Sequence, residues 1–549
     1  MTRTIAIIAP LIDFCQFNVD FNLRLRKSDR ELSLITLHEF ARTGFNPDHQ
    51  FRAHDYSDDI PSAGFYLQGL LHMHGYRTIL TNRYDPESLE KLAKEELFAV
   101  IVSTTMVITT ASLLSLFSAI REKIPGVPVI AGGVFLWKSY LQYEQHLRSP
   151  EQYPAHPGML FQPANSGIQA DVLIAAPHGI SSMMQVLSET EKGSRASLMH
   201  IPNLCLPSKN GFVFTKREDE TVDYNRDYTR WDLVDEIFPK IPVRTSIGCP
   251  YRCGFCDFCQ LYPRIFMRSP QSLNEELTLI KNRLGGKSAV IHVSDDNVFI
   301  TKKRVHEVCG AIEASGIRNW VGFMRGGDYS DGEISAMQRS GLRMGIIGVE
   351  SGDQGQLERM NKKQQAPKVQ RGIEQLDAAG IAVLMTFVVG YPGETDGTIS
   401  NTIGFLNGLS LKNLMASYQV YPLQIFSLSE LTEPATRKKW QIEGFGETWS
   451  HYSMNSARAL EACHRVFASV TNVPYHYAGE SHFFNRGMFN YETRKALFQL
   501  RQQLTLSMAS ENNFPQSAAV FRELISRMGF TAGNTDEGLQ AITCRPGAR

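Results

Sequence analysis

Two runs of alternating short apolar stretches and helix-period segments, one before residue 190 and one after 240, constrain this chain more than any other feature. A parallel strand is reached by a crossover of a dozen or more residues, commonly helical. Sheets built this way are covered on both faces, so their strands are apolar throughout. In the first run the expected strands are Ile5 to Ala9, Arg77 to Leu80, Phe98 to Val102, Val127 to Ala131 and Ala170 to Ile174. Phe65, Leu67, Leu70 and Leu71 predict a helix closed by Gly75. Leu113 to Ile120 and Ser182 to Glu189 predict two more. This pattern predicts an α/β fold opening with a doubly wound parallel sheet. Ligands of such sheets bind beyond the carboxyl ends of the strands. That points to the loops Ser103-Thr104-Thr105-Met106, Gly132-Gly133-Val134-Phe135 and Ala175 to Gly179.

The second run carries expected strands at Val243 to Ser246, Ala289 to Val293, Trp320 to Met324, Met344 to Val349 and Ala382 to Val389, with Ala416 to Val420 as a sixth. Helical patterns fall between them, at Leu273 to Leu284, Lys303 to Ala314, Glu333 to Ser340 and Pro367 to Ala379. Five or six such units predict a partial (β/α)6 barrel with its active residues on the loops after the strands. Four segments result: a Rossmann-like domain over 1–190, a connector over 191–240, the partial barrel over 241–415, and a mainly helical, aromatic-rich cap over 416–549. Pro207 to Phe212 in the connector reads as a hairpin tip.

Composition removes several classes. The 549 residues hold 56 basic and 56 acidic side chains, so no positive excess exists to neutralise phosphates, and nucleic acid is not an expected partner. The longest apolar runs fall well short of the ~20 residues that span a bilayer. The amino-terminal MTRTIAIIAP turns polar too early for a secretory leader. The expectation is a cytoplasmic protein with no membrane span.

Nine cysteines stand at 15, 205, 249, 253, 256, 259, 309, 463 and 544, four of them within eleven residues. A disulfide framework would be spread through a small secreted domain, whereas a cluster in a long chain favours metal or redox chemistry. Cys249-Pro-Tyr-Arg-Cys253-Gly-Phe-Cys256 follows the first strand of the second run. Three thiolates on one loop can wrap one face of a metal cluster. Zinc sites usually add a distant second pair, which is missing here. Three close ligands suit a 4Fe-4S cluster with one iron left open, and spacing alone also allows Cys259 as a fourth.

The C-x3-C-x-aromatic-C pattern, with Phe255 at the aromatic position, resembles the radical SAM superfamily. The resemblance covers roughly 240 to 415. It implies that Cys249, Cys253 and Cys256 hold a 4Fe-4S cluster whose open iron chelates S-adenosylmethionine (SAM), and that Cys259 is not a ligand. Reductive cleavage then yields a 5′-deoxyadenosyl radical, which requires an external one-electron reductant such as flavodoxin or ferredoxin. Arg268-Ser269-Pro270, Ser294-Asp295-Asp296-Asn297, Gly348 to Gly352 and Gly390 to Thr395 resemble the subgroup with an amino-terminal cobalamin-binding domain. By that resemblance Phe255, Asp295, Asp296, Glu350, Ser351 and Gly390 are the expected SAM contacts.

A flavodoxin-like sheet before such a barrel is similar to the cobalamin-binding members. The resemblance places Ser103, Thr104, Thr105, Met106, Gly132, Gly133, Val134, Phe135 and His178 at the corrin. Two departures stand out. No D-x-H-x-x-G occurs, and the last loop reads Ala175-Ala-Pro-His178-Gly179 where the family often has G-E-G-E. The implied activity is methyl transfer to an unactivated carbon of a small, apolar or planar substrate. Ring closure, ring contraction or oxidation, with cobalamin assisting or absent, is the alternative, and a non-catalytic cobalamin or cluster binder is the remote one. The resemblance singles out no catalytic side chain. Trp449, His451 and Tyr452 read as aromatic packing more readily than as a substrate cavity.

Overall fold

The computed structural model describes residues 3–11 and 60–476, apart from 157, 194, 195, 239 and 288, together with the strand pair 25–27/30–32 and residue 499. The first sheet contains β1 (Thr4–Ile8), β2 (Arg77–Thr81), β3 (Leu97–Ser103), β4 (Val129–Gly132), β5 (Val172–Ile174), β6 (Leu204–Ser208) and β7 (Gly211–Phe214). Its order is β2-β1-β3-β4-β5-β6-β7. The first five strands are parallel and follow the flavodoxin-like order 2-1-3-4-5. Strand residues alternate between two cores: Ala6, Ile8, Val100, Val102, Ala131 and Leu173 on one face, Ile5, Ile7, Ala99, Ile101, Ile130 and Ile174 on the other. Helices α1 (Ser62–Met73), α2 (Pro86–Ala93), α3 (Thr110–Lys123), α4 (Val134–Arg148) and α5 (Ile180–Glu191) complete the layers.

Two details differ from the sequence expectation. Residues 204–214, expected in the connector, are an antiparallel hairpin added to the edge of this sheet beside β5. The stretch from Val134, expected as loop, is helix: the loop ends at Gly133, and Val134 and Phe135 form the first turn of α4. Its pattern VFLWKSYLQYEQHLR mixes aromatic and polar residues too evenly to show one stripe.

The second sheet holds β8 (Lys240–Val243), β9 (Val290–Val293), β10 (Trp320–Met324), β11 (Leu342–Glu350), β12 (Ala382–Val389) and β13 (Ala416–Pro422). All are parallel and in chain order, the succession that a partial barrel requires. Helices α6 (Pro270–Leu284), α7 (Lys302–Ser315), α8 (Asp331–Ser340), α9 (Ala366–Ala378) and α10 (Asp396–Asn407) separate the strands. Their apolar faces and the outward strand residues, such as Ile291, Trp320, Ile347, Val383 and Phe387, make the largest core. On the opposite strand face Val321, Met344, Ala382 and Leu384 gather near the strand starts. That leaves the carboxyl ends for polar chemistry.

The boundaries of these helices follow ordinary end chemistry. Ser269 caps α6 with Pro270 in its first turn, and Gly285 closes it in the left-handed conformation. Ser330 and Glu333 form a reciprocal capping box at α8. The first strand lies at Lys240–Val243 rather than Val243 to Ser246. The chain leaves the sheet at Arg244, and Ser246–Ile247 pairs instead with Phe266–Met267. Beyond β13 the described chain adds a short helix (Pro434–Trp440), the ribbon Glu443–Phe445/Thr448–Ser450 and helix α11 (Ser456–Ser469), which packs on β12 and β13. The remainder of the expected cap, with Phe483, Phe484 and Phe489, lies outside the described residues.

Candidate active site at two joined sheet edges

The cysteine loop leaves the second sheet after β8, and its start is fixed by Asp295 at the end of β9. That carboxylate is buried and accepts hydrogen bonds from Thr245 N (2.7 Å), Thr245 Oγ1 (2.5 Å) and Ser246 Oγ (2.8 Å). Burial raises its pKa, and the three donors oppose that. Its oxygens are thus committed to the backbone that launches the loop. Asp296 accepts from Gly248 N at 3.1 Å, next to Cys249. Burial also raises its pKa, while nearby Arg244 opposes that.

Cys249, Cys253, Cys256 and Cys259 are all half-buried free thiols. Gly254 N donates to Met360 O (2.9 Å) and Cys256 N to Cys253 O (3.0 Å), which tightens the loop. A methyl group at Gly254 would collide with the Tyr391 hydroxyl, so glycine lets this loop lie against the Gly390 to Thr395 segment. Among the described residues no three His, Cys, Asp or Glu converge on one point as for a single ion. A 4Fe-4S cube does not ask for that, because each thiolate binds a different iron.

Around this loop stand the ends of the remaining strands. Phe255 meets Tyr391 edge-on at 6.5 Å, and Lys362 Nζ lies 5.8 Å from its ring centroid. Lys362 also donates to Glu350 at 2.7 Å in a buried pair. Glu350 itself sits at φ 68° beside a register irregularity between β11 and β12. A left-handed glutamate costs about 1–3 kcal/mol and tends to persist where surrounding structure, often at a functional site, over-determines it. Ser351 is less available: its hydroxyl accepts from Asp353 N (3.1 Å) and lies 3.3 Å from Thr402 Oγ1. Gly390 serves packing and backbone bonding. Its carbonyl accepts from His451 Nε2 at 2.8 Å, and its Cα lies under Trp449.

The same segment holds Glu394, whose pKa burial raises to about 7. Trp449 donates to Leu423 O (2.7 Å) and stacks on His451, so both join the packing, while Tyr452 is exposed against Trp440.

The other edge belongs to the first sheet. Thr104 donates its N–H (2.7 Å) and its hydroxyl (3.1 Å) to Gly132 O, and Ser103 Oγ donates to Thr105 Oγ1 at 3.2 Å. Gly133 has φ 124°, and a Cβ there would lie 2.9 Å from Thr105 N and 3.0 Å from Thr104 N. The two loops therefore touch backbone to backbone, with Thr105, Met106, Gly132, Gly133 and Val134 partly exposed and Phe135 buried. His178, on the third loop, lies 2.5 Å by its Nε2 from the Tyr224 hydroxyl. Burial holds its pKa below the usual value.

Helix α4, which springs from Gly133, joins the edges. Lys138 forms an ion pair with Asp257, the residue after Cys256. Trp137 Nε1 donates to Leu261 O at 3.3 Å and packs with Leu261 and Leu428. Farther along, Tyr153 donates to Glu433 at 2.6 Å.

Sequence reasoning named Tyr391 only within the Gly390 to Thr395 segment, and it missed Lys362, Arg325, whose guanidinium carbon lies 3.6 Å from the Tyr251 ring centroid, and Gln364, whose Nε2 donates to Gly326 O at 3.2 Å. Tyr391 and Arg325 lie in strand-end segments that were findable by position. Lys362 and Gln364 follow a one-and-a-half-turn helix, Gln354–Arg359, with no periodic signal.

Residues 243–406 match the family model of the radical SAM superfamily. Its relatives include an uncharacterized methyltransferase, PH0819, of Pyrococcus horikoshii, 28% identical over 31% of this chain and 37% of the relative. The chain spans about a third of the length of the curated relatives it matches. The fold is that of the cobalamin-dependent SAM radical enzyme OxsB, solved with aqua-cobalamin bound. The TM-score is 0.57 at 13% identity, covering 99% of this chain and 83% of that one. TsrM of Kitasatospora setae, a radical SAM methyltransferase solved with cobalamin and a [4Fe-4S] cluster, aligns with TM-score 0.50 at 14% identity, over 79% and 77%. Among the described residues no helix is long and apolar enough to cross a membrane.

Proposed function

We propose that this chain is a cobalamin-dependent radical SAM methyltransferase, adding a methyl group to an unactivated carbon of a small-molecule substrate. The observation that carries it is a single juxtaposition. Three cysteines on the loop after the first strand of a parallel sheet are held against the carboxyl edge of a flavodoxin-like sheet by Lys138–Asp257 and Trp137–Leu261. Residues 1–190 would then carry the corrin, the second sheet through β13 (Ala416–Pro422) the cluster and SAM, and the described chain beyond β13 the cover.

The residues present fit both groups. Cys249, Cys253 and Cys256 are free, half-buried and unshared with any disulfide, and a reducing cytoplasmic setting suits them. Cys259 stands outside the ligand set. The partly exposed Thr105-Met106 and Gly132-Gly133-Val134 segments offer a neutral shelf, and at Gly132 and Gly133 no Cβ stands between the backbone and a flat macrocycle. His178 Nε2 is paired with the Tyr224 hydroxyl, so that nitrogen is committed within the protein. When bound, the cluster with SAM supplies a carbon-centred radical, and cobalamin supplies a transferable methyl group. Electrons come from an external one-electron carrier such as flavodoxin or ferredoxin.

The protein's own residues do the positioning. Asp295 fixes the strand end that launches the cysteine loop, and Asp296 fixes its first amide. Glu350, held by Lys362 beside Phe255, presents a carboxylate suited to an ammonium or ribose hydroxyl. Ser351 and Gly390 order the backbone around it. Trp449 and His451 close one side and keep water out.

Anaerobically reconstituted protein supplied with hydroxocobalamin, SAM and reductant tests the reading. Formation of both S-adenosylhomocysteine and 5′-deoxyadenosine, with a substrate gaining one methylene of mass, is the expected result. Deoxyadenosine without S-adenosylhomocysteine would replace methyl transfer by another radical outcome.

A further inference from the structure

Beside the cysteine loop the Asn297 amide and one Arg325 nitrogen are buried without a hydrogen bond among the described residues. The segment that links the two sheets shows the reverse. Residues 215–230 form neither helix nor strand, yet they are bonded to elements of both sheets. Irregular stretches of that length are uncommon in compact chains, and ordered ones usually carry a function.

The bonds pass from one body to the other. Glu220 accepts from Ser181 N and Ser182 N (3.2 Å each) and from Ser182 Oγ (3.0 Å), so its carboxylate caps α5 just beyond His178. Four residues on, the Tyr224 hydroxyl meets His178 Nε2 at 2.5 Å. Asn225 turns to the second body. Its Oδ1 accepts from Ser269 N (2.8 Å) and its carbonyl from Ser272 Oγ (2.7 Å), at the start of α6. Tyr228 lies under the Arg268 guanidinium at 4.8 Å, and Arg268 Nη1 donates to Arg244 O at 2.9 Å.

Tyr224 touches both sides with one side chain. Its ring lies against Phe266, with centroids 4.8 Å apart. Phe266 pairs antiparallel with Ile247, two residues before Cys249, and Gly248 N between them is bonded to Asp296. A line of contacts, His178–Tyr224–Phe266–Ile247, thus runs from the third loop of the first edge to the launch of the cysteine loop. Tyrosine suits the middle of such a line, because its ring packs while its hydroxyl bonds. Burial lowers the His178 pKa and raises that of Tyr224 to about 12, so the bond joins two neutral groups.

We propose that Tyr224 is a positioning residue, tying the His178 loop of the first edge to the strand end that launches the cysteine loop and so setting one edge against the other. The tie stands on contacts within this chain. Its use in aligning corrin and cluster rests on the function proposed above.

Amide exchange in the full chain tests it twice. In the first measurement no cofactor is added, and the Gly248 amide reports the launch of the loop. Tyr224→Phe keeps the ring, removes the hydroxyl and speeds Gly248 exchange about 2- to 10-fold, the worth of one hydrogen bond. His178→Ala does the same, and the double variant exchanges no faster than either single one. His178→Gln, whose amide reaches about as far as the imidazole Nε2, restores the parent rate, which a general loss of stability would not allow. Equal exchange in parent and variants, or additive effects in the double variant, overturn the tie. In the second measurement the proteins are compared at saturating hydroxocobalamin. The corrin slows Gly248 exchange in the parent, and Tyr224→Phe loses that response. A parent that binds the corrin without the response, or a response kept in Tyr224→Phe, overturns the positioning role. Should Tyr224→Phe fold poorly, His178→Ala and His178→Gln carry both measurements. A parent that binds no hydroxocobalamin but passes the first measurement overturns the cobalamin reading and keeps the tie.

Discussion

The two sheets present their carboxyl edges to each other, yet they prepare them in opposite ways. At the first edge every polar group singled out by sequence has a partner close by in the chain's own loops. Thr104 bonds Gly132, Ser103 bonds Thr105, and His178 meets Tyr224. No charge lies in these two loops. At the second edge, charges and amides are buried with partners missing, and Glu350 is held in a strained conformation. A satisfied neutral edge can bind by shape and backbone contact alone. An unsatisfied charged edge gains most when a complementary ligand arrives, because desolvation has already been incurred during folding. The difference suits a large macrocycle on one side and a small charged cofactor on the other.

The sharpest way to break this comparison is at the cysteines. Changing Cys249, Cys253 or Cys256 to Ala should abolish the brown cluster absorbance and SAM cleavage, while leaving cobalamin binding at the first edge near the parent level. Cys259→Ala should preserve both cluster and cleavage. Cluster absorbance and deoxyadenosine yield on the four variants decide it, and loss with Cys259→Ala would rewrite the ligand set.

Burial of charge at the second edge also predicts a pH signature. Glu394 goes from 4.5 to about 7 on folding, chiefly through desolvation. Between those values the folded chain binds more protons than the unfolded one, so stability falls as pH rises from about 4.5 to about 7 and levels off above. The difference of 2.5 units corresponds to ~3 kcal/mol at most. Glu394→Gln should remove that slope and leave the variant more stable than the parent at pH 8, as measured by denaturant midpoints across pH. A slope unchanged in the variant would mean that the charge is solvated.

The first edge should show a slope of the opposite sign, stability falling as pH drops below the ordinary histidine range because burial lowers the His178 pKa, and its main sensitivity should be steric. Gly133→Ala forces a side chain into φ 124° against the amides of Thr104 and Thr105, at a cost of about 1–3 kcal/mol. Gly132→Ala meets only Ile174 Cβ at an ordinary 3.6 Å and should be neutral to within about 1 kcal/mol. Thermal melts and the hydroxocobalamin spectrum of the two variants separate them. Equal tolerance would undo the close-packed account of this edge.

These paired glycines show how far the sequence carries. Strand positions were legible because apolar runs in a parallel sheet have few alternatives, and the cysteine loop because its spacing is specific. Which glycine is indispensable was not legible, since that depends on a loop 28 residues away. Asp295 was legible as a polar residue at a strand end, but not as the anchor of Thr245 and Ser246. The unpaired state of Asn297 and Arg325 depends on three loops meeting. Nor did any local pattern announce that α4 begins at Val134 and reaches across to Leu261.

That helix offers the mildest test, because it asks whether the two edges act as one site. Lys138 and Asp257 are partly buried, with side-chain exposures of 19% and 8%. Removing Lys138 strands Asp257, but some water reaches the pair. Lys138→Met should therefore cost about 1–2 kcal/mol, less than the loss expected for a fully enclosed pair. In the double variant Lys138→Met/Asp257→Asn the stranded charge is gone, and part of that cost should return, giving a measurable coupling in a double-mutant cycle. Stability alone would not show that the pair positions the edges. The ratio of 5′-deoxyadenosine formed to substrate methylated would, because a cysteine loop freed from α4 can still cleave SAM while its partner edge sits out of register. The ratio should rise in Lys138→Met and fall back in part in the double variant. A constant ratio across all three proteins would make the pair a fastening of the fold only, and the two edges would then be aligned by Trp137 and the apolar contact beneath it.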